Sequence, residues 1–199
     1  FQITGTPIAI YPDLINALAC VKQAAALTNH ELKLLDIERM QAIVKACEEI
    51  RAGQYHDHFV VDVIQGGAGT STNMNANEVI ANRALEHLGF QRGEYQHLSP
   101  NEHVNLSQST NDVYPTALKV ASYIGIFRLV DAMGILRRAF EAKADEFKDI
   151  LKMGRTQLQD AVPMTLGQEF STYAVMLSED QARLTEAANL ICEINLGAT

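Results

Sequence analysis

Residues 115–149 read PTALKVASYIGIFRLVDAMGILRRAFEAKADEFKD, and the fold class follows first of all from this pattern. The pattern predicts a single helix of roughly 35 residues, about 50 Å long at ~1.5 Å rise per residue. Its first half is apolar on almost every side, so other helices must cover it on almost every side. A chain of 199 residues offers few helices long enough to do so. We therefore expect oligomerisation, or further helices elsewhere in the polypeptide.

Helical patterns continue on both sides of this stretch. A second long helix begins near Thr165, where Gln168 completes a capping box, and its apolar residues recur at the spacings of a helical bundle. Towards the N-terminus, shorter helices are predicted over 12–35, over 36–53 with Asp36 as the cap, and from about 75 to 89. The fold class is therefore all-α. We expect an N-terminal helical domain over 1–108 and the start of a long-helix bundle over 109–199.

Two shorter segments are interpreted differently. Residues 59–61, Phe-Val-Val, are apolar and β-branched and could form a small strand. Residues 153–163 are interpreted as a polar loop between the two long helices.

Composition narrows the class of protein. The net charge is −8, which argues against nucleic acid as a partner because phosphate binding needs a basic face. The most apolar run, 117–136, carries Lys119, Arg128 and Asp131, which argues against a membrane span. The three cysteines at positions 20, 47 and 192 lie in apolar helical patterns and form no Cys-x-x-Cys pair. Buried, reduced thiols in a cytoplasmic protein are the simplest interpretation.

Three polar segments are candidates for one binding site. The first, GAGTSTNMN at 67–75, precedes a predicted helix and exposes backbone N–H groups suited to a carboxylate or phosphate. The second, QSTND at 108–112, precedes the longest helix. The third, GRTQLQDAVP at 154–163, joins the two long helices. Each also has an ordinary structural interpretation: a glycine turn, a helix cap and a polar connection.

His56-Asp57-His58 is the only run that suggests a metal site. No third or fourth ligand has suitable spacing nearby, so a solvated loop is the better interpretation. No dedicated metal site or cofactor is predicted.

Longer stretches around the three segments are similar to one known family. GAGTSTNMNANE at 67–78, SPNEHVNLSQSTND at 99–112 and KMGRTQLQDAVPMTLGQEF at 152–170 resemble, in order, the three signature regions of the aspartase/fumarase superfamily. The resemblance covers nearly the whole chain from about residue 12. It implies an all-α fold whose long central helices pack in a homotetramer, with active sites assembled from loops of three subunits.

The resemblance also implies a reaction and a pocket. Within the superfamily the match favours the aspartase branch, which eliminates ammonia from L-aspartate to give fumarate. Fumarases usually carry Ser in place of Ala68, Gln in place of Ser71 and His in place of Gln157. Ser99 likewise replaces a fumarase His of an accessory anion site, which puts that site in doubt here. The implied substrate-binding residues are Thr70, Ser109, Thr110, Asn111, Thr156 and Gln157.

The resemblance assigns roles within this set. Thr70, Ser109 and Thr110 would hold the β-carboxylate, on which negative charge builds during proton removal, and the other three would hold the amino group or the α-carboxylate. The general base of the family is a serine in a Gly-Ser-Ser-x-Met-Pro-x-Lys-x-Asn-Pro motif, and these 199 residues do not contain that motif.

No catalytic residue is therefore assigned in this chain, which we expect to be inactive alone. The start at Phe1 and the end directly after a helical pattern predict a piece of a longer protein. The alternatives are a fumarate hydratase or another lyase of the superfamily, and a non-catalytic helical assembly domain.

Overall fold

A computed structural model of the protein describes residues 3–195, and it is mainly helical. The all-α fold class predicted from the sequence is confirmed. The helices are α1 (Pro12–Glu31), α2 (Ile37–Arg51), α3 (Thr70–His87), α4 (Thr110–Glu146) and α5 (Leu166–Leu190), and one hairpin is formed by β1 (Leu151–Thr156) and β2 (Gln159–Thr165). Short helical turns lie at Ile8–Ile10, His56–His58 and Pro100–Val104.

The described residues form two compact units. Residues 3–122 with 193–195 make the first unit, and residues 123–192 make the second. The continuous helix α4 belongs to both units. The predicted domain boundary near residue 108 stays a prediction.

The first unit has one hydrophobic core, built where α1, α2 and α3 pack together. Ile15 and Leu18 of α1, Ile43 of α2, and Ile80 and Leu85 of α3 are fully buried there. The predicted cap of α2 is present, because the Asp36 side chain accepts a hydrogen bond from the backbone N–H of Arg39 at 2.9 Å.

The predicted strand at 59–61 is wrong. Ile8 donates its N–H to the carbonyl of Val61, and Ala9 donates to that of Phe59. The pairing between these two segments nevertheless amounts to one isolated bridge, between Pro7 and Asp62, and residues 59–61 form no strand. The three apolar residues were too short a signal. Phe59 is buried because it packs into the helical core.

Two helices begin five residues earlier than the sequence predicts. α3 starts at Thr70 instead of Asn75, and α4 starts at Thr110 instead of Pro115. Proline is favoured in the first turn of a helix, but in α4 it is the sixth residue. Its missing N–H removes one helical hydrogen bond there. The polar segments before both predicted starts are therefore the first helical turns themselves.

In the second unit, the predicted loop at 153–163 is wrong, because this segment forms an antiparallel hairpin. Leu151 pairs with Thr165 and Thr156 with Gln159, with an irregularity between Met153 and Arg155. The two turn residues are Gln157 and Leu158, at φ 48° and 62°. Positive φ at both is typical of a type I′ turn, which usually selects Asn-Gly. Gln-Leu gives no such signal.

The predicted capping box of α5 is confirmed. Thr165 accepts from the Gln168 N–H at 3.1 Å, and the Thr165 N–H donates to the Gln168 side chain at 2.9 Å. Gly167 lets this helix start against the end of α4, since a Cβ there would lie 2.4 Å from the Ala144 carbonyl oxygen. Four aromatic rings fill the adjacent helix contact: Phe140, Phe147, Phe170 and Tyr173.

Large apolar side chains remain exposed on the long helices. They include Phe127 and Ile135 of α4 and Val175 and Met176 of α5. This exposure agrees with the expectation that other helices cover α4, but the number of subunits stays a prediction. Across residues 3–195, none of the helices has both the length and the apolar character of a membrane span. Cys47 is buried as expected and Cys20 is half-buried, whereas the expectation of burial is wrong for Cys192, which is exposed.

Candidate functional site

The glycine-rich segment turns the chain directly into α3. Gly67, Ala68 and Gly69 have φ of 88°, 51° and 89°, so three successive residues adopt the left-handed region that glycine tolerates best. Thr70 follows as the first helical residue and is exposed. Its hydroxyl donates to the Gly67 carbonyl at 2.7 Å. This hydroxyl can therefore donate to a ligand only by leaving that carbonyl.

Gly69 brings the first polar segment against the second. A Cβ on Gly69 would lie 2.3 Å from Cδ1 of Tyr114, which is in the second turn of α4. Such a distance is far inside van der Waals contact, so only glycine allows the Tyr114 ring to lie on this backbone. The N-termini of α3 and α4 are consequently neighbours in the first unit.

The second segment caps α4 and leaves polar groups over. The Ser109 N–H donates to the Asp112 carboxylate at 2.9 Å, and the Asn111 N–H donates to the Ser109 hydroxyl oxygen at 3.2 Å. Ser109 and Asp112 thus act as the cap, as the ordinary interpretation predicts. Asn111 is exposed and Thr110 is half-buried, and the cap uses neither of their side chains.

A buried amide joins the two helix starts. Nδ2 of Asn73, in α3, donates to Oγ1 of Thr110 at 3.2 Å and to Oδ1 of Asn105 at 3.2 Å. Asn77, one turn further along α3, donates to the same Asn105 oxygen at 3.2 Å. Because the Thr110 oxygen accepts from Asn73, its own hydroxyl proton is available to a ligand.

Beneath this amide network lies a buried lysine. Nζ of Lys22, from α1, donates to Oδ1 of Asn105 at 2.8 Å, and the residue is fully buried. Burial lowers the pKa of Lys22 to about 7, and the opposing attraction of Cys47 is smaller. The sequence analysis included Asn73 and Asn77 in its first motif without assigning them a role, and it did not identify Lys22. The available signal was a pair of asparagines four residues apart on the apolar face of a helix.

The third segment lies in the second unit, at the end of the hairpin. Thr156 is the last residue of β1, and Gln157 is the first turn residue. Both are exposed, and no hydrogen-bond partner for either side chain occurs among residues 3–195. The first unit therefore places the helix start at Thr70 beside the helix start that contains Ser109, Thr110 and Asn111. Thr156 and Gln157 belong to the second unit.

The histidine run makes structural contacts. The His56 ring hydrogen-bonds the carbonyl of Ile50 at 2.8 Å through Nε2, and the His58 carbonyl accepts from Asn75 at 3.0 Å. In the part of the chain that the structure describes, no three His, Cys, Asp or Glu side chains cluster as a metal site would require.

Comparison with known proteins places the chain in a family. A family model described as "Lyase" matches residues 5–199. The chain belongs to this lyase family. Lyase-family proteins named aspartate ammonia-lyase from Helicobacter pylori (strain J99) and Escherichia coli (strain K12) are 58% and 53% identical over all of this chain. The chain spans 42% of the length of these curated relatives.

Solved structures of the lyase family share the fold. A structure described as fumarate lyase:delta crystallin, from Brucella melitensis, is 56% identical with a TM-score of 0.95, over 98% of this chain and 46% of its own. A class II fumarase from Schistosoma mansoni is 37% identical with a TM-score of 0.85, over 94% of this chain and 40% of its own.

Proposed function

We propose that the protein containing this chain is an aspartate ammonia-lyase that reversibly converts L-aspartate to fumarate and ammonia. The observation that carries the proposal is the meeting of two hydroxyl-bearing helix N-termini, at Thr70 and at Ser109–Thr110, across the Asn73–Thr110 hydrogen bond. Relatives of that name are 53–58% identical, whereas the class II fumarase is 37% identical, which favours the ammonia-lyase over the hydratase.

The chemistry explains why such donors are useful. The Cβ proton of aspartate is weakly acidic, and its removal leaves two negative charges on the adjacent carboxylate, as an aci-carboxylate. The electron pair then forms the Cα–Cβ double bond while the Cα–N bond breaks and ammonia leaves. Donors fixed in advance around the aci-carboxylate lower the barrier, because they interact more strongly with the dianion than with the substrate.

Each candidate residue is assigned to the substrate group that its side chain can bind. Thr70, Ser109 and Thr110 hold the β-carboxylate, where the N-terminal ends of α3 and α4 add favourable partial positive charge. The second group holds the amino group or the α-carboxylate; it consists of Asn111, Thr156 and Gln157. In this assignment the Thr70 hydroxyl exchanges the Gly67 carbonyl for the substrate.

The assembly and location are part of the same proposal. The exposed apolar side chains of α4 and α5 support a homotetramer in which neighbouring subunits cover them and share active sites. The protein acts in the cytoplasm, without a cofactor, nucleic acid or membrane as partner.

The experiment compares L-aspartate with malate as substrates for the longer protein, with fumarate formation followed by ultraviolet absorbance. We expect elimination from aspartate and none of comparable rate from malate. A preference for malate would contradict the proposal and indicate a fumarate hydratase. No reaction with either substrate would indicate a non-catalytic helical assembly domain. The 199-residue chain assayed alone should be inactive, because the serine motif of the general base is absent from it.

A further inference from the structure

Lys22 is the most unusual buried group in the first unit. It is fully buried, and no carboxylate among residues 3–195 forms a salt bridge with it. An amine without a counter-ion is costly to bury, and such groups concentrate at functional sites. A purely structural position would accept a methionine of similar length at lower cost.

The hydrogen bonds run from this amine towards the candidate site in three steps. Lys22 donates to Oδ1 of Asn105 at 2.8 Å, and Asn73 donates to the same oxygen at 3.2 Å. Asn73 uses its second N–H on the Thr110 hydroxyl oxygen, also at 3.2 Å. Asn105 is itself fixed by donation of its amide to the Gln108 carbonyl at 2.9 Å. Lysine has N–H donors whether charged or neutral, so the first step survives both protonation states.

We propose that Lys22 is a positioning residue for the elimination: it anchors Asn105, which orients Asn73, which in turn fixes Thr110 with its hydroxyl proton directed to the substrate. The proposal rests on the proposed function. The Asn73 amide has two N–H groups, and one orientation of it satisfies both acceptors, Oδ1 of Asn105 and Oγ1 of Thr110. Without the anchor, Asn105 keeps the Gln108 carbonyl and the Asn77 amide as partners, but its oxygen loses its shortest hydrogen bond. Asn73 is then held less firmly and its amide can flip. In the flipped orientation the Asn73 amide oxygen, which has no partner within the described chain, accepts the Thr110 hydroxyl proton in place of the substrate.

The test is a double-mutant cycle in the longer protein, with Lys22→Met and Thr110→Val. Wild-type turnover of aspartate tests the proposed function first, so its failure is separate from failure of this inference. We expect Lys22→Met to lower kcat about ten-fold or more per folded active site while KM changes by less than about three-fold. In the Thr110→Val background the same substitution should change kcat by less than about two-fold, because no hydroxyl remains to be positioned.

A matched control and a second variant keep the result interpretable. Lys45→Met, at an exposed lysine of α2, should leave kcat unchanged. If Lys22→Met does not fold, Asn105→Ala breaks the same path at the next residue, and the cycle is repeated with it. Equal effects of the Lys22 (or Asn105) substitution in the wild-type and Thr110→Val backgrounds would overturn the proposal. So would loss of thermal stability with kcat per folded site unchanged.

Discussion

Thr110 and Thr156 are both candidate substrate-binding threonines, yet the chain supports them very differently. Thr110 lies at the start of α4, half-buried, and accepts a hydrogen bond from the Asn73 amide, which is linked through Asn105 to the buried Lys22. Thr156 lies at the end of a strand and is exposed, beside a two-residue turn. Contacts within the first unit fix the Thr110 side chain. The hairpin fixes only the backbone of Thr156, so the direction of the Thr156 hydroxyl depends on what the hairpin contacts in the assembled protein.

The largest expected effect comes from removing the supported hydroxyl. In the longer protein, Thr110→Val should lower kcat/KM for aspartate about a hundred-fold or more, the usual cost of losing one fixed donor to a developing anion. Steady-state kinetics of fumarate formation measures it. Thr172→Val is the control, because that exposed hydroxyl donates to the Gln168 carbonyl of its own helix. Turnover by Thr110→Val within about two-fold of wild type would remove Thr110 from the site.

The next effect tests the contact between the two helix starts. Gly69→Ala should destabilise the first unit by about 2 kcal/mol or more, since its Cβ would overlap the Tyr114 ring and its φ is 89°. Gly66→Ala is the matched control, because its Cβ meets nothing within 4 Å. Urea unfolding of both variants gives the difference. Equal urea midpoints for the two variants would mean that the Tyr114 ring can move away from residue 69 at little cost in stability.

A third comparison uses pH. Burial raises the pKa of Asp62, but hydrogen bonds from Ile64, Thr4 and Gly5 outweigh it and lower the pKa to about 2. A lowered carboxyl pKa stabilises the fold above the ordinary value of 3.8, and the contribution disappears as the pH falls towards 2. Wild type should therefore lose stability between these pH values more steeply than Asp62→Asn.

The hairpin provides the control for that pH experiment. Asp160 pairs with Arg155 at 3.7 Å, and both are exposed, so the pair contributes little. Asp160→Asn should leave the steepness unchanged when denaturant midpoints are measured at several pH values. A slope for Asp62→Asn equal to that of wild type would show that the Asp62 hydrogen bonds do not stabilise the first unit.

The smallest expected effect is a gain. Leu158 is fully exposed with φ 62°, so Leu158→Gly removes backbone strain without loss of packing. We expect stabilisation of the second unit by about 1 kcal/mol in urea unfolding. Leu158→Ala retains a Cβ and should stay close to wild type. A destabilised Leu158→Gly would indicate that the side chain is packed in solution.

Much of the fold follows from the sequence alone. Apolar residues at helical spacing determined α1, α2 and both long helices, and the caps at Asp36 and Thr165 determined two of their starts. These signals are local: one helical turn contains both partners of each hydrogen bond. The six candidate site residues also came from the sequence, through three motifs in a fixed order.

The hairpin and the buried polar network depend on contacts between residues far apart in the sequence. The hairpin was missed because Gln157-Leu158 is no turn signature, and its strands are held by pairs such as Leu151 with Thr165, distant in sequence. Lys22 is 83 residues from Asn105, and a lone lysine in a helix gives no sign of burial. Local spacing fixes which face of a helix is apolar, but which polar groups meet inside the protein is fixed by how the helices pack.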